Sequence, residues 1–304
     1  MKIAVVIPCY NSSRYLGEAL ASVFAQTRKP DEVIVVDDGS TDNSMEIARG
    51  LGATVLSTGK NSGPASARNI GIRHTSAELI AFLDSDDVWK RHHLETLLPA
   101  FERDSHTVLA FGRMRNYHRP PTDQVAQLLA PRDIFLDLLA TNVVVQSATV
   151  ARRSAILAAG GYPDGMRYSE DYSLWLRLAM NTMVSTTDIA TCRRRTHDDQ
   201  LSRQEIKFVF NAFSARAEAI ARAEAAGHAY STDDMQQAVR LAFKEEFGSA
   251  VYRASWPFVE EIMRAASLFP WYAQDAARMK ARIRNRWPYY VVLSALRWLK
   301  GVRT

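Results

Sequence analysis

Leu79-Ile80-Ala81-Phe82-Leu83-Asp84-Ser85-Asp86-Asp87-Val88-Trp89 is the stretch whose reading decides the fold. Five apolar residues give way at once to three carboxylates within four positions. A short continuous apolar run closed by polar turn residues predicts a strand buried on both faces, as in parallel sheets. Asp84, Asp86 and Asp87 then sit at its C-terminal end, the edge of an open α/β sheet where ligands bind. Carboxylates this close repel one another unless a cation or shared protons offset the charge. Oxygen donors suit hard cations such as Mg²⁺ or Mn²⁺, and Mg²⁺ is often held by one or two carboxylates plus substrate phosphates. A metal–diphosphate site is the expectation, with a solvated acidic turn as the plain alternative.

Toward the N-terminus the pattern is strand, helix, strand. Ile3–Ile7 reads as a buried strand stopped by Pro8. Asn11, Ser12 and Ser13 are placed to cap a helix whose apolar face is Tyr15, Leu16, Ala19, Leu20, Val23 and Phe24, ending at Lys29-Pro30. Glu32–Val36 is a second strand, terminated by Asp37-Asp38-Gly39-Ser40-Thr41-Asp42. Strand–helix–strand within about 40 residues is the size of a right-handed βαβ unit. Asp38 stands at a strand end beside a glycine. It can accept from a base N–H or a ribose hydroxyl, or serve as a helix cap. Met45–Gly50 reads as a helix and Thr54–Leu56 as a third strand. The Gly63-Pro64 turn opens a helix carrying Arg68, Ile70 and Ile72. Arg68 suits either a phosphate or a strand-end aspartate. Neither a P-loop nor a G-x-G-x-x-G motif follows any strand.

Beyond the acidic turn, His92 to Phe101 has helical spacing. Its adjacent His92 and His93 are read as surface residues, because neighbouring helical positions do not share a face. Val108–Phe111 suggests a strand, and residues 116–132, with Pro120, Pro121 and Pro131, an exposed loop. Ile134–Ala140 reads as a helix, Asn142–Val150 as extended chain, and Ala155–Ala159 as a short helix before Gly160-Gly161-Tyr162-Pro163. Ser169 is placed to cap a helix with Glu170 and Asp171 in its first turn and Leu174, Trp175 and Leu178 on its apolar side. An acid there is either an ordinary helix start or a rigidly held general base. Ile189–Arg195 is strand-like. His197 follows in a polar stretch, either as a surface residue or as a metal or phosphate contact.

From about Ser202 the chain turns helical, over Arg203–Ala226, Thr232–Ala254 and Pro257–Leu268. After Asp275 no acid occurs, yet Arg278, Lys280, Arg282, Arg284, Arg286, Arg297, Lys300 and Arg303 do, interleaved with Trp287, Tyr289, Tyr290 and Trp298. Such a basic, aromatic, amphipathic segment points to peripheral membrane contact; packing on its own domain or a dimer contact are the alternatives. The expected division is residues 1–203 and 204–304.

The chain has 304 residues and a net charge of +5, which suits anionic partners without choosing among them. Its two cysteines, Cys9 and Cys192, form no C-x-x-C, so no disulfide framework is expected and a reducing compartment fits. The apolar N-terminal run is too short for a secretory signal, and no eighteen-residue apolar run occurs. The expected location is cytoplasmic, with peripheral contact at the inner membrane face.

Val5-Val6-Ile7-Pro8-Cys9-Tyr10-Asn11, Val35-Val36-Asp37-Asp38-Gly39-Ser40-Thr41-Asp42, Leu83-Asp84-Ser85-Asp86-Asp87 and Glu170-Asp171 together resemble the family 2 glycosyltransferases over roughly residues 1–203. The resemblance implies an α/β GT-A fold with a mostly parallel sheet, extended here by C-terminal helices. It implies an inverting transfer from a nucleotide-diphosphate sugar, typically a UDP-sugar, to a hydroxyl of a glycan or lipid-linked acceptor in bacterial envelope polysaccharide synthesis. By position, Pro8, Tyr10 and Asn11 would line the nucleotide pocket and Asp38 would contact the base. Asp84 would lie near the ribose and Asp86 on Mn²⁺ or Mg²⁺. Asp171 would be the base, supported by Glu170. Arg195-Thr196-His197 resembles the family's closing Arg-x-His element, which would bring His197 to metal or diphosphate. Arg68 is kept with the nucleotide-binding residues.

Two other classes compete. A sugar nucleotidyltransferase would share the metal and the α/β fold, but the chain has Pro8-Cys9-Tyr10-Asn11 in place of a glycine-rich basic loop for a triphosphate. A non-catalytic nucleotide-sugar-binding scaffold would not need the full carboxylate set. The basic tail alone does not carry nucleic-acid binding.

Overall fold

β1 (Ile3–Cys9) is flanked by β2 (Glu32–Asp37) and β4 (Leu79–Phe82), parallel to both, so the first strand of the chain becomes a central one. The computed structural model describes residues 1–116, 127–180, 182–197, 205–227 and 229–301. In chain order, α1 (Leu16–Phe24) links β1 to β2. α2 (Ser44–Gly50) leads to β3 (Thr54–Ser57), and α3 (Pro64–His74) leads to β4. Then come β5 (Val88–Trp89), α4 (His93–Leu97), α5 (Pro99–Arg103), β6 (Leu109–Asn116) and α6 (Phe135–Ala140). A 3₁₀ turn at Gln146–Ala148, β7 (Thr149–Arg152), α7 (Arg153–Ala158), α8 (Glu170–Ala179) and β8 (Ser185–Arg194) complete this part. The sheet has eight strands in the order β3-β2-β1-β4-β7-β6-β8-β5. Its first four strands are parallel; β7 and β5 run antiparallel to their neighbours, so the sheet is mixed. The chain steps outward from β1 to β3 and then returns to the other side of β1 with β4. That reversal opens a crevice at the carboxyl ends of β1, β2 and β4.

Both faces of the sheet are covered. Ile3, Val5 and Ile7 pack with Leu16, Leu20 and Val23 of α1 in one buried cluster. On the other face α3 approaches so closely that a Cβ at Gly71 would lie 2.6 Å from a methyl of Val6. Glycine is the residue that permits this helix–strand distance.

Several local expectations change. Pro8 does not end β1, which continues to Cys9 with Pro8 opposite Val36. The Ile3 and Cys9 carbonyls are bonded on the β2 side and the Val6 carbonyl on the β4 side. By alternation Pro8 faces the β4 side, beyond β4's last paired residue, so its missing N–H removes no ladder bond. Asn11, Ser12 and Ser13 do not cap α1 with their side chains; the Ser12 carbonyl receives the Tyr15 and Leu16 N–H groups, each at 2.9 Å. α1 ends at Phe24, short of Lys29-Pro30. The helix read over His92 to Phe101 is split in two, with Pro99 opening α5. The Asn142–Val150 segment contains the 3₁₀ turn before β7. The expected loop at 116–132 lies in part outside the described residues. Cys9 and Cys192 are both buried and free.

The chain divides into two compact units, Met1–Leu138 with Asn142–Gln200, and Leu139–Thr141 with Leu201–Thr304. The second contains α9 (Glu205–Ala225), α10 (Thr232–Tyr252), α11 (Trp256–Ala266) and α12 (Ala273–Gly301). Ser231 caps α10, its hydroxyl accepting the Asp234 N–H at 3.1 Å. The aromatic core of this unit stacks Phe243 between Phe213 and Tyr272, with ring centroids 3.9 and 4.2 Å apart. Among the described residues no helix is long and apolar enough to cross a membrane.

His93 departs most from its expected setting. It is wholly buried, its ring stacked on Trp89 at 4.2 Å, and neither ring nitrogen has a hydrogen-bond partner. The one-turn helix turns position 93 inward while His92 stays at the surface against Glu95, 2.7 Å away. Burial lowers the His93 pKa to about 3, so the ring is neutral in the folded protein. The unfolded chain takes up a proton near the ordinary histidine pKa and the folded chain does not. The stability held above that value is therefore lost as pH falls toward 3. His93→Phe keeps the stack and removes both the titration and two unpartnered nitrogens. Denaturant unfolding should show the variant gaining on wild type by about 2 kcal/mol between pH 7.5 and pH 5. A difference independent of pH would show that His93 does not carry this linkage.

Candidate active site

The loops after β1 and β2 are tied to each other. The Asn11 backbone is left-handed, at φ 47°, and its N–H donates to the Ser40 hydroxyl at 3.0 Å. Its side-chain oxygen accepts the Thr41 N–H at 2.8 Å. Asp42 accepts the Ser13 N–H at 2.9 Å and also bonds Ser44. Burial works against its charge, but the hydrogen bonds from Ser44 and Ser13 outweigh it and bring its pKa to about 2. Pro8 is buried in the strand, while Tyr10 is about half exposed at its end.

Asp38 is buried, and its carboxylate is well supplied with donors. One oxygen receives the Ser62 N–H at 2.8 Å and the Thr58 hydroxyl at 3.0 Å, and the other receives the Gly63 N–H at 2.8 Å. Gly63 has φ 91°, which suits a residue without a Cβ. Asp38 thus fixes the loop that leads into α3 at the mouth of the crevice.

Arg68 projects from α3 and is almost wholly buried. Its Nη2 donates to Asp84 at 2.7 Å and its Nη1 to Glu170 at 2.8 Å. One guanidinium therefore joins the acidic end of β4 to the start of α8, across 102 residues of sequence. Burial alone would weaken its charge, but the Asp84 and Glu170 carboxylates raise its pKa. α8 is held from behind by Trp175, whose ring meets Phe82 of β4 edge-on at 6.0 Å. Asn69, beside Arg68, exchanges two 2.9 Å hydrogen bonds with the Tyr162 backbone just upstream of α8. Ser169 does not cap α8 with its side chain; it takes a left-handed conformation, φ 60°, that turns the chain into the helix.

The Glu170 pKa is raised by burial despite Arg68. Asp171, partly accessible, is raised to about 7, first by burial and then by the charge of Glu170, with Arg68 opposing. A carboxylate titrating near neutrality is suited to receiving a proton.

The three acids of the turn separate in role. Asp87 points inward, where it accepts the Ser147 hydroxyl at 2.7 Å and the Arg195 N–H at 3.2 Å. Burial, then the charges of Asp86 and Asp84, raise its pKa. Asp86 points outward to His197, with Nε2 2.9 Å from its carboxylate. This meeting follows from strand register: β5 pairs antiparallel with β8, Val88 opposite Arg193, so the end of β8 runs back past the acidic turn. His197 also lies 4.6 Å from the Tyr15 ring. The Arg195 guanidinium lies over the Tyr15 ring, 5.1 Å from its centroid, and pairs with Glu18 of α1. The Ser12 and Ser85 hydroxyls meet at 2.7 Å, joining the β1 loop to the acidic turn.

Among the described residues no three His, Cys, Asp or Glu side chains form a ready metal cage. Asp86 and His197 form a two-donor set, with carboxylate oxygen and imidazole nitrogen side by side. That set fits a hard divalent cation completed by a diphosphate and water rather than by protein alone. Sequence reasoning did not find Tyr15, Ser147 or the Arg195 contacts. In the sequence Tyr15 belongs to the apolar face of a helix and nothing local marks Ser147; Arg195 stands in the Arg-x-His stretch, but its contacts with Asp87, Glu18 and Tyr15 come only from the fold.

Residues 4–157 match the model of glycosyl transferase family 2. An uncharacterized glycosyltransferase of Rickettsia conorii is 32% identical over 199 residues, which are 62% of this chain and 32% of that protein. The UDP-Glc:α-D-GlcNAc-diphosphoundecaprenol β-1,3-glucosyltransferase WfgD of Escherichia coli is 28% identical over 188 residues, 60% of this chain and 72% of WfgD. The matched stretch spans about a third of the length of the first curated relatives. Among solved structures, residues 1–349 of S. aureus TarS in complex with UDP-GlcNAc align with a TM-score of 0.68 and 18% identity, covering 97% of this chain and 88% of that one. That likeness shows the GT-A type fold. The chain belongs to glycosyl transferase family 2.

Proposed function

We propose that this protein transfers a sugar from a nucleotide-diphosphate sugar, in the first instance a UDP-sugar, to a hydroxyl of a glycan or lipid-linked acceptor, with inversion at the anomeric carbon. The observation that carries this reading is the Arg68 bridge. It ties Asp84, at the end of β4, to Glu170 at the start of α8, next to Asp171. Family membership supports the reaction class, and the UDP-glucose donor of WfgD and the UDP-GlcNAc bound to TarS support a UDP-sugar donor. WfgD's acceptor supports a lipid-linked one.

In this reading Pro8, Tyr10, Asn11 and Asp38 frame the nucleotide. Asp84, held by Arg68, lies toward the ribose. Asp86 and His197 would hold Mn²⁺ or Mg²⁺, which offsets negative charge on the departing diphosphate. Asp171 takes the proton from the acceptor hydroxyl as its oxygen attacks the anomeric carbon, and the bond from that carbon to the diphosphate breaks on the opposite side. Glu170 and Arg68 fix the helix start so that the Asp171 carboxylate keeps one direction. The protein would work at the cytoplasmic side of a membrane, with the basic α12 toward the lipid.

Asp171→Asn should lower transfer, or donor hydrolysis measured as nucleotide release, by about 10²–10⁴-fold while nucleotide binding is kept. Equal loss of both would remove Asp171 from the role of base. Because the base must be unprotonated, kcat/KM should rise with pH through about 7 and level off above it. A flat profile from pH 5.5 to 8.5 would contradict this. Calorimetric titration with UDP, GDP and dTDP, with and without Mn²⁺, should show metal-enhanced binding of one nucleotide that disappears in Asp86→Ala. Absence of binding to any of the three would return the reading to a scaffold or an untested donor.

A further inference from the structure

Within the helical unit, α10 and α12 enclose a groove of about 460 Å³, in the size range of small-molecule sites. Phe247 and Ile283, both buried, form its floor together with the partly buried Met279. Lys244, Arg282 and Arg286 line it as well, and all three are exposed. Among the described residues no carboxylate lines the groove. Elsewhere in this unit arginines find acids: Arg240 and Arg278 pair with Asp275, and Arg264 with Glu261. Among the described residues Lys244, Arg282 and Arg286 have no such partner.

Gly248 adds a second, independent observation. It lies inside α10, where glycine is less stable than alanine, and no left-handed backbone angle calls for it there. A Cβ at this position would meet nothing within 4 Å. The missing side chain therefore leaves space in the groove wall rather than relieving a clash.

We propose that this groove binds an anionic membrane lipid, its phosphate among Lys244, Arg282 and Arg286 and the first part of its chain on Phe247, Met279 and Ile283. A free hydrated phosphate would gain nothing from the apolar floor, and a neutral chain would leave three cations uncompensated. An anionic amphiphile satisfies both halves of the site. The absence of any acid after Asp275 keeps the rest of α12 compatible with a negative surface. This inference rests on the helical unit alone and does not depend on the transferase reading.

The test uses the full chain with vesicles of phosphatidylcholine, alone or mixed with phosphatidylglycerol, in a flotation assay. The wild type should float with the mixed vesicles and not with the neutral ones. Arg282→Gln/Arg286→Gln should weaken this by about tenfold or more. Gly248→Phe, which fills the groove and keeps every charge, should weaken it similarly. Gly248→Ala, which strengthens the helix and leaves most of the space, should bind as wild type. If Gly248→Phe fails to melt cooperatively, Met279→Glu places a carboxylate on the groove floor and takes its place. Undiminished flotation of these groove variants would overturn the proposal, leaving only charge attraction to a helix face. Displacement of the protein by glycerol phosphate would also overturn it, because a headgroup without a chain would then suffice. So would a dimer in sedimentation that Gly248→Phe dissociates, since a second copy would then occupy the groove. Nucleotide titration of each variant separates failure here from failure of the catalytic reading.

Discussion

One buried guanidinium holds the site together. Arg68 is nearly inaccessible to water, and its two terminal nitrogens are committed to Asp84 and Glu170. A buried cation of this kind is tolerable only with both partners in place, and removing either would leave an uncompensated charge in a poorly solvated site. The same constraint works in reverse. Glu170 and Asp171 are adjacent in sequence, but the contact with Arg68 goes to Glu170, so Asp171 is the one of the pair whose ionisation is less supported. Its proton affinity near neutrality follows from that asymmetry and from burial.

The acidic turn shows how a single motif divides its labour. Asp84 turns to Arg68, Asp86 to His197 and Asp87 into the protein, where it gathers Ser147 and the Arg195 backbone. Trp89 continues this inward set: its indole N–H donates to the Ser147 carbonyl at 2.6 Å and its ring stacks on His93. The outward acids are therefore mounted on a buried polar and aromatic base rather than on a loop alone. Such mounting favours a site with one geometry, because each outward side chain is fixed by a neighbour that cannot move without exposing a buried polar group.

The helical unit follows a different logic. Its core is a stack of aromatic rings drawn from α9, α10 and the segment before α12, and of its acids Glu218, Glu261 and Asp275 pair with arginines elsewhere on its surface. What is left over along α10 and α12 is an apolar trough with unneutralised cations. In a chain of net charge +5 this concentrates positive charge where a greasy surface is also open.

The sequence by itself determined the four parallel strands around the crevice to within a residue or two, but neither β5 nor the full extent of β6 and β8. Ile3–Ile7, Val33–Val36 and Leu79–Leu83 are continuous apolar runs because both faces of the sheet are covered. The polar residues that stop the last two are also those at the crevice. Asp84 and Asp86 were legible for that reason, Glu170 and Asp171 only through the family resemblance, and the amphipathic helices of the C-terminal part through their periodicity. Only the tertiary structure decided the partners. Arg68 and Glu170 lie 102 residues apart, and His197 and Asp86 lie 111 apart. Those meetings depend on where α3 docks and on the register of β5 against β8, which no local pattern encodes. His93 and Pro8 depart from their local pattern for the same reason. Whether a helical histidine faces water, or a proline's missing N–H matters, depends on which neighbour lies on that side, and the neighbour is supplied by the fold.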